Sequence, residues 1–79
     1  MVTIYSKDSC TFCVRSKQYL ESNNIEYTEV NIENNLEARE WILEQGHRSV
    51  PQIYVDNQLI EGGYNGLVDS PLSLLQEDV

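Results

Sequence analysis

Cys10-Thr11-Phe12-Cys13 lies between a short apolar run, Val2-Thr3-Ile4-Tyr5, and a stretch of helical spacing from Thr11 to about Glu21. These are the only cysteines in the chain. An i, i+3 pair on a first helical turn can close a small disulfide ring, and the Cys10 sulfur would face unpaired backbone N–H groups that favour thiolate over thiol. A helix N-terminus or a neighbouring cation lowers a thiol pKa from about 8.5 to roughly 3.5–7.5. Lys7 lies just upstream, and Arg15 and Lys17 follow on the helix, so cations are at hand in an otherwise acidic chain. Cys10 is therefore expected to be the nucleophile. Cys13, one turn further in, suits the resolving thiol that releases a mixed disulfide. The alternatives are an inert packed pair or half of a zinc site. A closed zinc site wants four ligands, and the chain supplies these two cysteines and the lone His47. A C-x-x-C beside a βαβ pattern reads first as redox chemistry.

Outward from that motif, the pattern alternates. Val2 to Tyr5 reads as a strand, the following helix carries Val14, Tyr19 and Leu20 inward, and Ile25 to Ile32 alternates as a second strand. This is a βαβ unit, expected to be right-handed with parallel strands. Asn34-Asn35 supplies N-cap chemistry for a helix through Leu36, Trp41, Ile42 and Leu43 that stops at Gly46. Gln52 to Val55 and Gln58 to Glu61 read as strands joined by a hairpin turn at Asp56-Asn57. After Gly62-Gly63 comes a broken helical tail, with Ser70 as N-cap and Pro71 in the first helical position ahead of Leu72, Leu74 and Leu75. The order β-α-β-α-β-β-α implies an α/β fold with a four-stranded mixed sheet flanked by helices. Trp41 reads as packing, His47 as an exposed loop histidine, and Tyr5, Tyr19, Tyr27 and Tyr54 as sheet and core residues. Asp8 and Ser9 read as shaping the loop and the helix start.

Seventy-nine residues make one expected domain, 1–79, with no internal repeat or linker. A bridge across Cys10 and Cys13 constrains little of the unfolded chain, so chemistry explains it better than stability. No charged-then-apolar signal segment opens the chain and no apolar run reaches membrane-spanning length, so the expected compartment is the reducing cytoplasm, with no membrane partner. A net charge of −8 with five basic residues argues against nucleic acid as a partner. The acidic stretch from Glu26 to Glu44 reads as a solvated face. Lys7, Arg15 and Lys17 read as a local basic rim near the thiols that could attract an anionic thiol.

Three separated segments carry a resemblance: Lys7-Asp8-Ser9-Cys10-Thr11-Phe12-Cys13-Val14-Arg15, then Gly46-His47-Arg48-Ser49-Val50-Pro51-Gln52-Ile53-Tyr54-Val55, then Gly62-Gly63-Tyr64-Asn65-Gly66-Leu67. In order and spacing the whole chain resembles a small dithiol glutaredoxin of the thioredoxin-fold superfamily. The resemblance implies a cis bond before Pro51, with that proline against the cysteines. It also implies that the backbone of Val50 is free to pair with an extended peptide such as glutathione. Phe12, Ser49, Val50, Pro51, Gly63, Tyr64 and Asn65 would then line the glutathione site, with the γ-glutamyl end at Gly63, Tyr64 and Asn65. Lys7 would meet the glycyl carboxylate. Glutathione is the implied co-substrate, with no tightly bound cofactor, and disulfide-containing proteins are the implied partners of a monomer.

The chain also departs from the pattern of the family it resembles. Thr11 and Phe12 replace the common proline and tyrosine, and Thr11 restores a backbone N–H. Ser49 replaces a common threonine, and Asn65 and Gly66 stand where aspartates are usual. Ala38 falls where an Arg or Gln often helps hold glutathione, with Arg39 roughly 100° further round the helix. Two other readings follow from the resemblance: a thioredoxin-like donor to ribonucleotide reductase, itself reduced by thioredoxin reductase, and a [2Fe–2S] dimer held with glutathione thiolates. Cys10→Ser is expected to abolish all activity. Cys13→Ser is expected to lose protein-disulfide reduction and keep some deglutathionylation.

Overall fold

The computed structural model describes residues 1–75, so the last four residues of the expected 1–79 domain lie outside the described residues. In chain order the elements are β1 (Val2–Ser6), α1 (Thr11–Ser22), β2 (Tyr27–Asn31), α2 (Leu36–Glu44), β3 (Gln52–Val55), β4 (Gln58–Ile60), α3 (Gly63–Asp69) and α4 (Leu72–Leu75). The sheet order is β2-β1-β3-β4. β1 runs parallel to β2, while β3 is antiparallel to both β1 and β4. The expected α/β architecture stands, with the helical tail divided into two short helices.

Register sorts the side chains onto two faces, because successive strand residues point to opposite sides. Val2 pairs with Val55 and Ile4 with Ile53, while Ile53 pairs with Ile60. With Leu20 of α1, Leu67 of α3 and Leu75 of α4, these residues form an aliphatic core on one face. Each fully buried side chain of this kind is worth roughly 1.5–3 kcal/mol. The other face is aromatic and is covered by α2. Trp41 stacks on Tyr5 with centroids 5.4 Å apart, and Tyr54 stands 5.3 Å from Trp41 and 5.8 Å from Tyr5.

Both long helices depart from the expected apolar stripes. In α1 the buried positions are Cys13, Ser16 and Leu20, whereas Val14, expected inward, is 46% exposed. Val14 lies about 100° round the helix from Cys13, on the flank of that buried row. Ser16 sits fully buried, and its hydroxyl donates to the Phe12 carbonyl at 2.8 Å, which satisfies it within the helix. In α2 only Ile42 is buried, while Leu36 and Leu43 are exposed. The helix's caps match the sequence closely. Asn35 Oδ1 accepts from Ala38 N–H at 3.0 Å. At the other end Gly46, at φ +88, donates to Leu43, and the His47 N–H donates to Ile42. That is a Schellman pattern, whose left-handed residue favours glycine.

Boundary differences have local causes. β2 begins at Tyr27 rather than Ile25, because Asn24 turns at φ +57 and the Ile25 N–H returns to the Leu20 carbonyl at 2.9 Å; Ile25 is nonetheless buried. Asp56 and Asn57 both have positive φ, as a two-residue type I′ hairpin turn requires. Ser70, expected to cap the last helix, instead follows α3, with its hydroxyl bonded back to the Gly66 carbonyl at 2.7 Å. α4 therefore starts at Leu72, after Pro71.

Candidate functional site

Cys10 is itself the N-cap of α1. Its backbone is extended, at φ −109° and ψ 104°, and its Sγ accepts the Cys13 N–H at 3.1 Å. Asp8 and Ser9 therefore do not cap the helix. Ser9 turns the chain at φ +57, while Asp8 ties the loop to the end of β2, accepting from Asn31 Nδ2 at 2.9 Å and donating its N–H to Glu33. Cys10 and Cys13 form a disulfide, with Cα atoms 5.2 Å apart. Cys13 is 1% exposed and Cys10 is half-buried, so an incoming disulfide reaches Cys10 first.

The segment before β3 lies against this pair. The Val50–Pro51 peptide bond is cis, and the Val50 carbonyl oxygen is 3.8 Å from Cys10 Sγ. The N-terminus of α3 closes in from the other side, where a Cβ on Gly63 would stand 3.2 Å from the Pro51 carbonyl oxygen. Between them runs a groove of about 450 Å³. Its walls bring Phe12 and Tyr64 together, ring centroids 5.9 Å apart, and Ser49, Val50, Pro51, Gly63 and Asn65 complete the expected set. Lys7 is the exception. It lines a second cavity of about 360 Å³ beside the first, and the two share His47, Ser49 and Val50.

A sequence model of the glutaredoxin family matches residues 2–60. The chain belongs to the glutaredoxin family. Glutaredoxin 3 of Escherichia coli K12 is 39% identical to it over 62 residues, which cover 77% of this chain and 75% of that protein. A glutaredoxin-like protein NrdH of Lactococcus lactis subsp. cremoris is 37% identical over 62 residues, covering 78% and 86%. In three dimensions a buckwheat glutaredoxin–glutathione complex matches the fold with a TM-score of 0.79 at 18% identity, over 94% of this chain and 74% of that one. The fold is thioredoxin-like, and the protein is a glutaredoxin-family thiol–disulfide oxidoreductase whose redox-active pair is Cys10–Cys13.

Of the rim expected around this glutaredoxin pair, Lys7 and Lys17 line one cavity with Cys10 and Cys13, while Arg15 is turned to a neighbouring ring. Arg15 lies over the Phe12 ring, 5.3 Å from its centroid. Lys17 is held by Glu29 at 2.9 Å, and Glu29 also accepts from the buried Ser6 hydroxyl at 2.7 Å. The Ser6 hydroxyl foremost, and then Lys17, hold the Glu29 carboxyl below the usual carboxylate range. Lys7 also lines the second cavity, with Arg39 and Arg48. Ala38 lines a separate cavity with Tyr5 and Trp41. Arg39, one residue on, therefore stands on the Lys7 side, because the two neighbours point about 100° apart on the helix.

His47 is half-buried rather than an exposed loop residue, with Nε2 2.8 Å from the Tyr54 hydroxyl. Burial foremost pushes the Tyr54 phenol above its ordinary range. Sequence reasoning passed over Arg48 and Glu61 as site residues. Each adjoins a recognised segment, Ser49-Val50-Pro51 or Gly62-Gly63, and that adjacency was the available signal. Gly66 has a steric reason to lack a side chain, since a Cβ there would overlap the Glu61 carbonyl. Among the described residues no helix is long and apolar enough to cross a membrane.

Proposed function

We propose that this glutaredoxin is a glutathione-linked reductase of protein disulfides and glutathione mixed disulfides, working in the cytoplasm as a monomer of one domain, 1–79. The observation that carries the reading is the groove along Val50, which joins Phe12, Ser49, Pro51, Gly63, Tyr64 and Asn65 beside Cys10 and shares His47, Ser49 and Val50 with the Lys7 cavity. An extended tripeptide fits such a groove by pairing with exposed backbone, in the manner of an added strand. Its γ-glutamyl end would lie against Gly63, Tyr64 and Asn65, and its glycyl carboxylate would meet Lys7, Arg39 and Arg48.

In the forward reaction the Cys10 thiolate attacks one sulfur of a protein disulfide, forming a Cys10–protein bond and releasing one protein thiolate, which takes up a proton. Cys13, deprotonated, attacks Cys10 Sγ, forming Cys10–Cys13 and releasing the second protein thiolate. A glutathione thiolate then opens that bond at Cys10 and frees Cys13. A second glutathione attacks the bound glutathione sulfur, leaving glutathione disulfide and the Cys10 thiolate. Two glutathiones are oxidised for each protein disulfide reduced. The backbone N–H of Cys13 aimed at Cys10 Sγ supports Cys10 as the thiolate, because an N–H donor at a helix start favours the charged sulfur.

The test is reduction of a glutathione mixed disulfide coupled to glutathione reductase and NADPH, with wild type, Cys10→Ser and Cys13→Ser. Turnover that needs Cys10 supports the reading. A second reading, a donor to ribonucleotide reductase that is reduced by thioredoxin reductase, is favoured by the similarity to NrdH and by Asn65 and Gly66 in place of the aspartates. No glutathione-linked turnover, together with reduction by thioredoxin reductase, would establish it instead.

A further inference from the structure

The charges around the groove are distributed unevenly. Of the five basic side chains in the chain, Lys17 is held by Glu29 and Arg15 lies over Phe12. The remaining three, Lys7, Arg39 and Arg48, line one cavity, are exposed, and form no ion pair among the described residues. Glu33 also lines that cavity, so its local balance is three cations to one carboxylate, in a chain whose net charge is −8. Across the ridge formed by His47, Ser49 and Val50, the groove carries one acidic side chain, the exposed Glu61. Cys10 Sγ approaches that ridge at Val50.

We infer that the site reads the charge polarity of its protein substrates. It favours an extended segment with basic residues just before the attacked cysteine, near Glu61, and acidic residues just after it, in the Lys7–Arg39–Arg48 cavity. The direction rests on the reading above, in which the γ-glutamyl end of glutathione lies by Gly63 and its glycyl end by Lys7. An extended chain rises about 3.3 Å per residue, so residues up to two positions from the cysteine reach about 7 Å to either side of it. Opposite charge on either side sets orientation and rejects the reversed sequence, where both ends meet like charge. The acidic body repels acidic partners in general, so the cation cavity gives an acidic flank one favourable place to dock.

The probes are two disulfide-linked peptide homodimers of identical composition, capped Lys-Lys-Cys-Glu-Glu and capped Glu-Glu-Cys-Lys-Lys, mixed with the pre-reduced protein. Their net charges are equal, so the overall field of the protein acts on both alike. At low salt the first peptide should be reduced about five- to tenfold faster, since each exposed pair changes a rate by a factor of roughly two to five. The gap should close in 0.5 M salt, where screening falls to a few ångströms. Arg39→Gln with Arg48→Gln should remove most of it, and Glu61→Lys should narrow it from the other end. Equal rates, a reversed order, or a preference that survives all three substitutions would overturn the inference. The peptide reaction uses no glutathione, so the two readings can fail separately. Glutathione-linked turnover with equal peptide rates removes the polarity alone, whereas a polarity preference without that turnover removes the glutathione reading.

Discussion

The two faces of the sheet are built for different purposes. On the α1 side Cys13, Ser16 and Leu20 are fully buried over Val2, Ile4 and Ile53, and α3 and α4 add Leu67 and Leu75. On the α2 side one residue of the helix, Ile42, is buried, and contact runs through the Tyr5, Trp41 and Tyr54 rings while Leu36 and Leu43 face solvent. The reactive pair projects from the close-packed face, where the helix start cannot shift without disturbing the core. The two cavities proposed to receive a partner are lined from the looser side, by residues of α2, the start of α3 and the segment before β3, with exposed charges among them.

The largest effect that tests this contrast is chemical. Cys10→Ser should drop both glutathione-linked and peptide-disulfide reduction by at least about a hundredfold, to the uncatalysed background, because the nucleophilic thiolate is gone. Cys13→Ser should abolish protein-disulfide turnover and retain part of the deglutathionylation measured in the coupled assay. Activity remaining in Cys10→Ser would reassign the nucleophile.

Next comes packing. Leu20→Ala should cost about 2–5 kcal/mol in a denaturant titration, against the 5–15 kcal/mol typical of a whole domain. Leu43→Ala, on the open side of α2, should stay within about 0.5 kcal/mol. Equal costs for the two would mean that the faces are not built differently after all.

The aspartates missing at Asn65 and Gly66 give a sharper contrast within α3. Gly66→Asp should destabilise the fold by about 2 kcal/mol or more rather than improve glutathione use, because its Cβ has no room beside the Glu61 carbonyl. Asn65→Asp, exposed on the groove, should leave stability unchanged and lower the KM for a glutathione mixed disulfide about two- to fivefold, as an exposed charge pair allows. A Gly66→Asp protein of normal stability would overturn the steric account.

The smallest effects are in pH dependence at the β2 edge. Glu29 titrates below the usual carboxylate range in the fold, so its contribution is present above the unfolded value and is lost as pH falls through the lower, folded one. Tyr27 is pushed up to about 12, by burial first and then by its hydrogen bond to Glu21. Its contribution is complete below 10 and is lost as pH rises through about 12. Thermal melts should show a shallow loss at each extreme. Glu29→Gln should flatten the acid limb by well under about 1 kcal/mol, given its partial exposure, and Tyr27→Phe should flatten the alkaline one.

Much of the fold was legible in local sequence, because its signals act over a few residues. Asn35 and Gly46 cap α2 as their chemistry requires, Asp56-Asn57 makes the hairpin turn, and alternation along β1 sorts Val2 and Ile4 from Thr3 and Tyr5. Cys10 and Cys13 and most of the groove residues were legible too, since they lie in three compact segments. The acidic stretch is solvated as expected, with Glu26, Glu29, Glu33, Glu37, Glu40 and Glu44 all exposed. Helix faces were less legible. Val14 and Leu43 are apolar at helical spacing yet exposed, because burial depends on where a neighbouring element stands rather than on the residue itself.

The sequence by itself determined a dithiol at a helix start and the order of strands and helices, which follow from short-range backbone chemistry, whereas the cis bond before Pro51 was legible only through the family resemblance. The tertiary structure alone decided which charges stand together. Lys7 and Lys17 line one cavity with the thiols, but Lys17 is bound by Glu29 and Arg15 lies over Phe12, while Arg39 and Arg48 arrive from distant segments to join Lys7. Charges act through space over roughly 8–10 Å at physiological salt, and which of them come within that distance is set by how α2 and the segment before β3 fold back beside the thiols.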